Sequence, residues 1–150
     1  MRTVHNAWNS FLALPPNIER FDQRKYYSML IANFMAFVLH FVWIFVFAML
    51  GFTLLSRINI VSVVVFLFCI AALRVRGMIL TAVLVGMTEV LIHQGIAIYF
   101  LGWGYGFQYY LLVIVAFAFM MNFQPTAIPV GMFLVCLFSF LGFYYQVQYW

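Results

Sequence analysis

The stretch "GMTEVLIHQGIA" carries a glutamate and, four residues later, a histidine: Glu89 and His93. A spacing of four puts both side chains on one face of a helix. The other two acidic residues, Glu19 and Asp22, precede the first long apolar run, so Glu89 is the one carboxylate set among apolar residues. A charge in hydrocarbon costs at least a few kcal/mol on insertion scales, so it must be paired, neutralised or put to use. His40, in the first apolar run, lies about as far from the start of its run as Glu89 does from the start of its own. At about 1.5 Å per residue the two reach similar depth if both helices point the same way. Three chemistries fit His40, Glu89 and His93. One is a satisfied hydrogen-bond network fastening two helices. A second is a ligand or proton sensor, since histidine titrates near neutrality. The third is a transition-metal site of two imidazoles and a carboxylate. Only residue type supports the last, and no fourth ligand presents itself. A haem between the two histidines has less support still. No metal and no cofactor are therefore expected.

The elements that position this trio are membrane helices. The 150-residue chain is 68% hydrophobic and 7% charged, where a soluble domain averages roughly 45–50% apolar and about 25% charged. The apolar runs are near-continuous and do not alternate, which points to helices and away from a barrel. The expected fold class is an all-α, multi-pass bundle of five transmembrane helices. The spans run about Ser28–Gly51, Ile58–Val75, Gly77–Leu101, Phe107–Met121 and Thr126–Tyr145. The fourth is short against the roughly 20 residues a crossing needs. Residues 1–27 form a polar lead, broken at Pro15-Pro16, and residues 28–150 form the membrane domain. The first run is too long for a secretory signal.

The net charge of +4 matters through its placement. Arg2, Arg20, Arg24 and Lys25 precede the first span, Arg74 and Arg76 follow the second, and Arg57 alone lies elsewhere. By the positive-inside rule the N-terminus and the Arg74/Arg76 loop are cytoplasmic, in a cell (inner) membrane. "NFQPT" (Asn122–Thr126) is then an inner loop, and the C-terminal "YYQVQYW" an outer aromatic belt. The basic residues orient the chain, and no nucleic acid is expected as a partner. Cys69 and Cys136 fall inside spans and carry no disulfide inference.

In lipid, helices pack through small and polar residues. The third span has a stripe of Ala82, Gly86, Glu89, His93 and Ala97. The first offers Asn33, Ala36 and His40, the second Ser62 and Cys69, and the fifth Gly131, Val135, Ser139 and Gly142. Helix packing is the expected role of Ala82, Gly86, Gly131, Ser139 and Gly142. No P-loop, nucleophile elbow, zinc-type Cys/His spacing or carboxylate pair is present, so this chain is not expected to be an enzyme. The turn "FLGWGYGFQYYLL" (Phe100–Leu112) spells Gly-x-Gly-x-Gly but opens no βαβ unit. It joins the third and fourth spans at the outer face, where Trp and Tyr also suit an ordinary interfacial anchor.

Several short segments resemble the N-terminal six-span sensor domain of bacterial membrane-bound nucleotide cyclases, both diguanylate cyclases of the GGDEF type and class III adenylate/guanylate cyclases. They are Phe21-Asp22-Gln23-Arg24-Lys25-Tyr26 before the first span, His40 within it, Asn59-Ile60-Val61-Ser62 in the second span, and Glu89 with His93 in the third. The outer turn adds Leu101-Gly102-Trp103 and Gly106 through Leu112. The likeness covers about residues 20–145 and is most specific at that turn. It departs at Gly104-Tyr105, where the family has an acidic residue after the Trp. It also departs in span number, since the family has six spans followed by a catalytic domain. The resemblance implies a sensor domain truncated before its sixth span, which as a homodimer would control a cytoplasmic cyclase.

The function expected from this reading is membrane-embedded sensing. The ligand would be small and amphipathic or lipid-like, under a roof of Trp103, Tyr105, Gln108, Tyr109 and Tyr110 and above a polar floor of His40, Glu89 and His93. A small transporter or channel using Glu89 in an ion or proton path is the alternative. So is a structural membrane protein with no activity of its own.

Overall fold

The computed structural model describes residues 13–121 and 123–149, without the side chain of Arg76. Arg2, Asn122 and Trp150 lie outside the described residues. All regular structure among the described residues is helical. Five α-helices follow one another: α1 (Gln23–Met49), α2 (Thr53–Arg76), α3 (Ile79–Leu101), α4 (Tyr110–Met120) and α5 (Ala127–Tyr149). Short 3-10 turns occupy Arg20–Asp22, Trp103–Tyr105 and Phe107–Tyr109.

Four of these helices are long and apolar enough to cross a membrane, while the stretch Phe107–Met120 falls short. Only 17–33% of the residues in the most apolar window of each long helix are buried within the protein. Phe41, Phe45, Leu67, Phe68, Leu84, Phe138 and Leu141 are all largely exposed. Such a continuous apolar exterior needs lipid around it. The chain is a multi-pass membrane protein of helical type.

The helices start and stop where backbone chemistry permits, which differs from where the apolar runs begin and end. α1 starts five residues before the expected Ser28, in the polar segment Gln23–Tyr27. α2 likewise takes in Thr53–Arg57. Polarity marks the water boundary, but a helix continues past it because its hydrogen bonds run from each N–H to the carbonyl four residues back. α2 stops at Gly77, which holds the left-handed conformation with φ +59°. Its N–H reaches the Leu73 carbonyl at 2.9 Å, and that of Met78 reaches Ala72 at 3.3 Å. A Cβ at Gly77 would stand 2.5 Å from Ile18 Cδ1, so a side chain there meets both a left-handed backbone and a neighbour that must shift.

α1 and α2 form an antiparallel hairpin, closed at the turn by Ser56 Oγ donating to the Ile44 carbonyl at 2.8 Å. α3 packs on α2 and also touches α1, α4 and α5, which makes it the central element. The best-buried core lies toward one end, where Tyr26, Leu30, Cys69, Leu73, Ala82, Ala118, Met121 and Met132 meet. That end is also basic. Arg74 donates to the Tyr26 hydroxyl at 3.0 Å and to the Ala13 carbonyl. Lys25 pairs with Asp22 at 2.9 Å, and Arg24 reaches the Met120 carbonyl.

α4, with 11 residues, is the shortest of the five helices, as the sequence expects. Phe107–Met120 spans about 22 Å with its 3-10 turn included, against a hydrocarbon core of about 30 Å. It nevertheless returns the chain along the bundle. Tyr110 stands near Trp43 and Leu101 at the far end, while Ala118 and Met121 sit in the core at the basic end. α5 then runs back beside it, with Met132 in that core and Tyr144 against Trp103 at the opposite end.

Candidate functional site

Within the interior the helices bring His40, Glu89 and His93 together. α1 supplies His40, α3 supplies Glu89 and His93, and α2 closes the group with Ser62. Glu89 Oε1 lies 3.7 Å from His40 Nε2 and 3.7 Å from His93 Nδ1. The two imidazole rings meet edge-on with centroids 4.9 Å apart. Side-chain exposure is 13% for His40, 8% for Glu89 and 5% for His93, so the polar atoms have left solvent. Neighbouring small residues allow this approach. Ala82, Gly86 and Ala97 are buried on the same face of α3. At Gly86 an added Cβ would touch Asn33 Oδ1 and the Phe66 ring at 3.5 and 3.7 Å.

Hydrogen bonding fixes part of the protonation pattern. His40 Nδ1 lies 2.8 Å from the Ala36 carbonyl, and a carbonyl can only accept. Nδ1 therefore carries hydrogen, and Nε2 faces Glu89 Oε1. At 3.7 Å that contact is beyond hydrogen-bonding range. Ser62 Oγ lies 3.3 Å from His93 Nδ1 and donates to the Ile58 carbonyl at 3.2 Å or to His93. Glu89 Oε2 is buried with no hydrogen-bond partner. Glu89 Oε1, His40 Nε2 and His93 Nδ1 thus face one another beside the Ser62 hydroxyl, an arrangement that can hold a proton or a cation.

Glu89, His93 and Ser62 also line a groove of about 400 Å³ between α2 and α3, with Thr88 and the apolar Ile58, Val61, Leu84 and Ile92. Thr88 and Val61 are exposed, so the groove opens on the lipid-facing surface.

The residues of the Phe100–Leu112 turn are absent from the lining of the groove that Glu89 and His93 share. Trp103 packs edge-on against Phe140 and Tyr144 of α5, at 5.2 and 5.5 Å between centroids. Tyr105 and Tyr110 line a separate pocket of about 240 Å³ at the far end, with Trp43, Phe47, Phe52, Leu101 and Phe107. Tyr109 is exposed. Gln108 is buried, and its Oε1 has no hydrogen-bond partner. The turn itself uses Gly102 and Gly106 at φ +89° and +80°. It acts as the reversal between α3 and α4.

Among the packing positions, Ser139 is half-buried, whereas an added Cβ at Gly131 or Gly142 would meet nothing within 4 Å. The buried face of α5 is Pro129, Met132 and Cys136. The close contact of α5 with α3 is at Gly95, where a Cβ would stand 2.9 Å from Phe143 Cζ. Ser62 was legible as a small polar residue in the second span, but its contact with His93 was not. Of the four basic topology residues, Arg24, Lys25 and Arg74 lie at the basic end, and Arg76 ends α2 there.

Comparison with known protein families, with curated proteins and with solved structures finds no match to this chain.

Proposed function

We propose that this chain is a membrane-embedded sensory domain that regulates a cytoplasmic cyclase, with His40, Glu89 and His93 as its sensing joint. The observation that carries the reading is Glu89 itself. Its carboxyl group is buried in an apolar bundle, shared between two imidazoles from two helices, and left with one oxygen unpartnered. A joint of that kind has at least two protonation or occupancy states, and each favours a different spacing of α1, α2 and α3. A ligand or proton that prefers one state shifts the population by its differential affinity.

The groove between α2 and α3 supports a small amphipathic or lipid-like ligand. It offers apolar walls and one polar end at Glu89, His93, Ser62 and Thr88. The aromatic turn at Trp103 and Tyr105 anchors the outer end in this reading. The basic end bearing Arg24, Lys25 and Arg74 faces the cytoplasm of a cell membrane, and α4 completes a fifth crossing with a locally thinned or tilted fit. Signalling through a homodimer of such domains accounts for an output on the cytoplasmic side. The sequence likeness to cyclase sensor domains at Glu89–His93 and Gly102–Leu112 supports the output assigned.

The test joins the domain, through an added sixth span, to a diguanylate cyclase reporter in cells. Glu89→Gln and His93→Ala are expected to change basal or stimulated output. Unchanged output, with normal membrane accumulation of both variants, would sink the sensing role of the trio.

A further inference from the structure

We infer that His40, Glu89 and His93 form a binding site for a divalent transition-metal ion of the zinc class. The inference deepens the sensory reading by naming what the joint holds, and it rests on that reading only for its consequence. Three donor atoms from three side chains lie within 4.8 Å of one another. In a tetrahedral zinc site with bonds of about 2.0–2.1 Å, neighbouring N and O donors stand about 3.4 Å apart. The two Glu89–imidazole distances are 3.7 Å. A metal therefore requires the Glu89 contacts to close by about 0.3 Å and the widest donor separation, no more than 4.8 Å, by up to about 1.4 Å.

Two further observations point to a ligand. First, Glu89 Oε2 is buried without a hydrogen-bond partner, on a side chain 8% exposed. An unpartnered carboxylate oxygen at this depth calls for a cation or a donor beside it. Second, His40 is arranged as a metal-ligating histidine is. Its Nδ1–H donates to the Ala36 carbonyl at 2.8 Å, which fixes the ring and presents the Nε2 lone pair to the cluster. Imidazole nitrogen with carboxylate oxygen suits zinc and its first-row neighbours, and no thiolate is among the donors. Three protein donors leave the fourth position open, the pattern of a zinc site that takes an exchangeable ligand. Glu89 and His93 also line the groove between α2 and α3, so that position is reached from there, beside Ser62 and Thr88. With a divalent ion and one carboxylate the site carries one positive charge. An anionic fourth donor, hydroxide or the head of an amphipathic acid, makes it neutral and lowers the cost of keeping it in apolar surroundings.

The full chain, untagged and in lipid nanodiscs, is equilibrated with zinc alone, desalted and assayed for metal by mass spectrometry. About one ion per chain is expected, falling below about a tenth in His40→Phe and Glu89→Gln. His5→Ala, which removes the histidine outside the cluster, is expected to retain full loading. Absence of zinc from the folded wild-type chain overturns the inference, as does equal loading of the two cluster variants. Should a variant lose its helical circular-dichroism signal, cobalt(II) bound to the wild-type chain decides. Intense four-coordinate visible bands support the site, and weak six-coordinate bands overturn it. The cyclase reporter is read separately. Reporter output that responds while no metal binds leaves the sensory reading standing and removes the metal. Metal binding with an unresponsive reporter does the reverse.

Discussion

Removing His40 and Glu89 singly and together measures whether they form an energetic unit. Glu89 Oε1 is 3.7 Å from His40 Nε2. Two unit charges at that separation interact by about 4.5 kcal/mol at an effective dielectric constant near 20, an upper bound for this pair. His40→Phe keeps a ring against Phe66, whose centroid is 5.0 Å away, so the variant removes the polar contact with little loss of packing. It leaves Glu89 with His93 alone, at an expected cost of about 2–4 kcal/mol. Glu89→Leu leaves two imidazoles edge-on at 4.9 Å and is expected to cost about 1–3 kcal/mol. The double variant removes the mismatch as well as the contact. The coupling free energy should therefore be at least about 1.5 kcal/mol. SDS-driven unfolding in mixed micelles, followed by tryptophan fluorescence, supplies all four stabilities under one condition. Additivity within about 0.5 kcal/mol would refute the reasoning, because it would mean that the 3.7 Å contacts carry no interaction.

Three glycines give predictions about the scaffold by the same unfolding measurement. Gly77→Ala is expected to cost about 2–3 kcal/mol, combining the left-handed backbone with contact to Ile18. Gly51→Ala, at φ +82° with open space around it, should cost only the backbone share of about 1–2 kcal/mol. Equal losses would mean that the Ile18 contact is unimportant. Gly95→Leu should cost about 1–3 kcal/mol by overpacking Phe143, whereas Gly95→Ala should stay within about 1 kcal/mol because helix propensity offsets the contact. A neutral Gly95→Leu would show that α3 and α5 do not meet there.

Much of this architecture was legible in the residues for a simple reason. Lipid demands long apolar helices, and a carboxylate placed inside one needs partners. Hence Glu89 led to His93 by helical spacing and to His40 by matched depth. What stayed hidden follows from the same solvent. In water an apolar stripe points to the core, but in a membrane Phe68 facing lipid and Phe66 facing the interior are equally apolar. Periodicity therefore cannot orient such a helix. It follows that Gly131 and Gly142 of α5 read as packing residues although, among the described residues, an added Cβ there would meet nothing within 4 Å, while the contacting Gly95 went unnoticed. Trp103 reads as an interfacial residue from its type and position alone. Its packing on Phe140 and Tyr144 depends on where α5 returns, about forty residues later in the chain.

The central claim is that the His40–Glu89–His93 cluster is kept for function and does not merely fasten α1 to α3. Replacing all three by leucine tests it most directly, because a buried polar cluster exchanged for apolar residues of similar volume is often neutral or stabilising. The measurement is stimulus-dependent cyclase output from the reporter fusion, with the stability of the triple variant taken in parallel. The result expected is a variant that accumulates in the membrane, unfolds within about 1 kcal/mol of the parent or later, and has lost its response. A triple variant that still responds as the parent does would contradict the claim, and one that fails to fold would show the cluster to be a fastening after all.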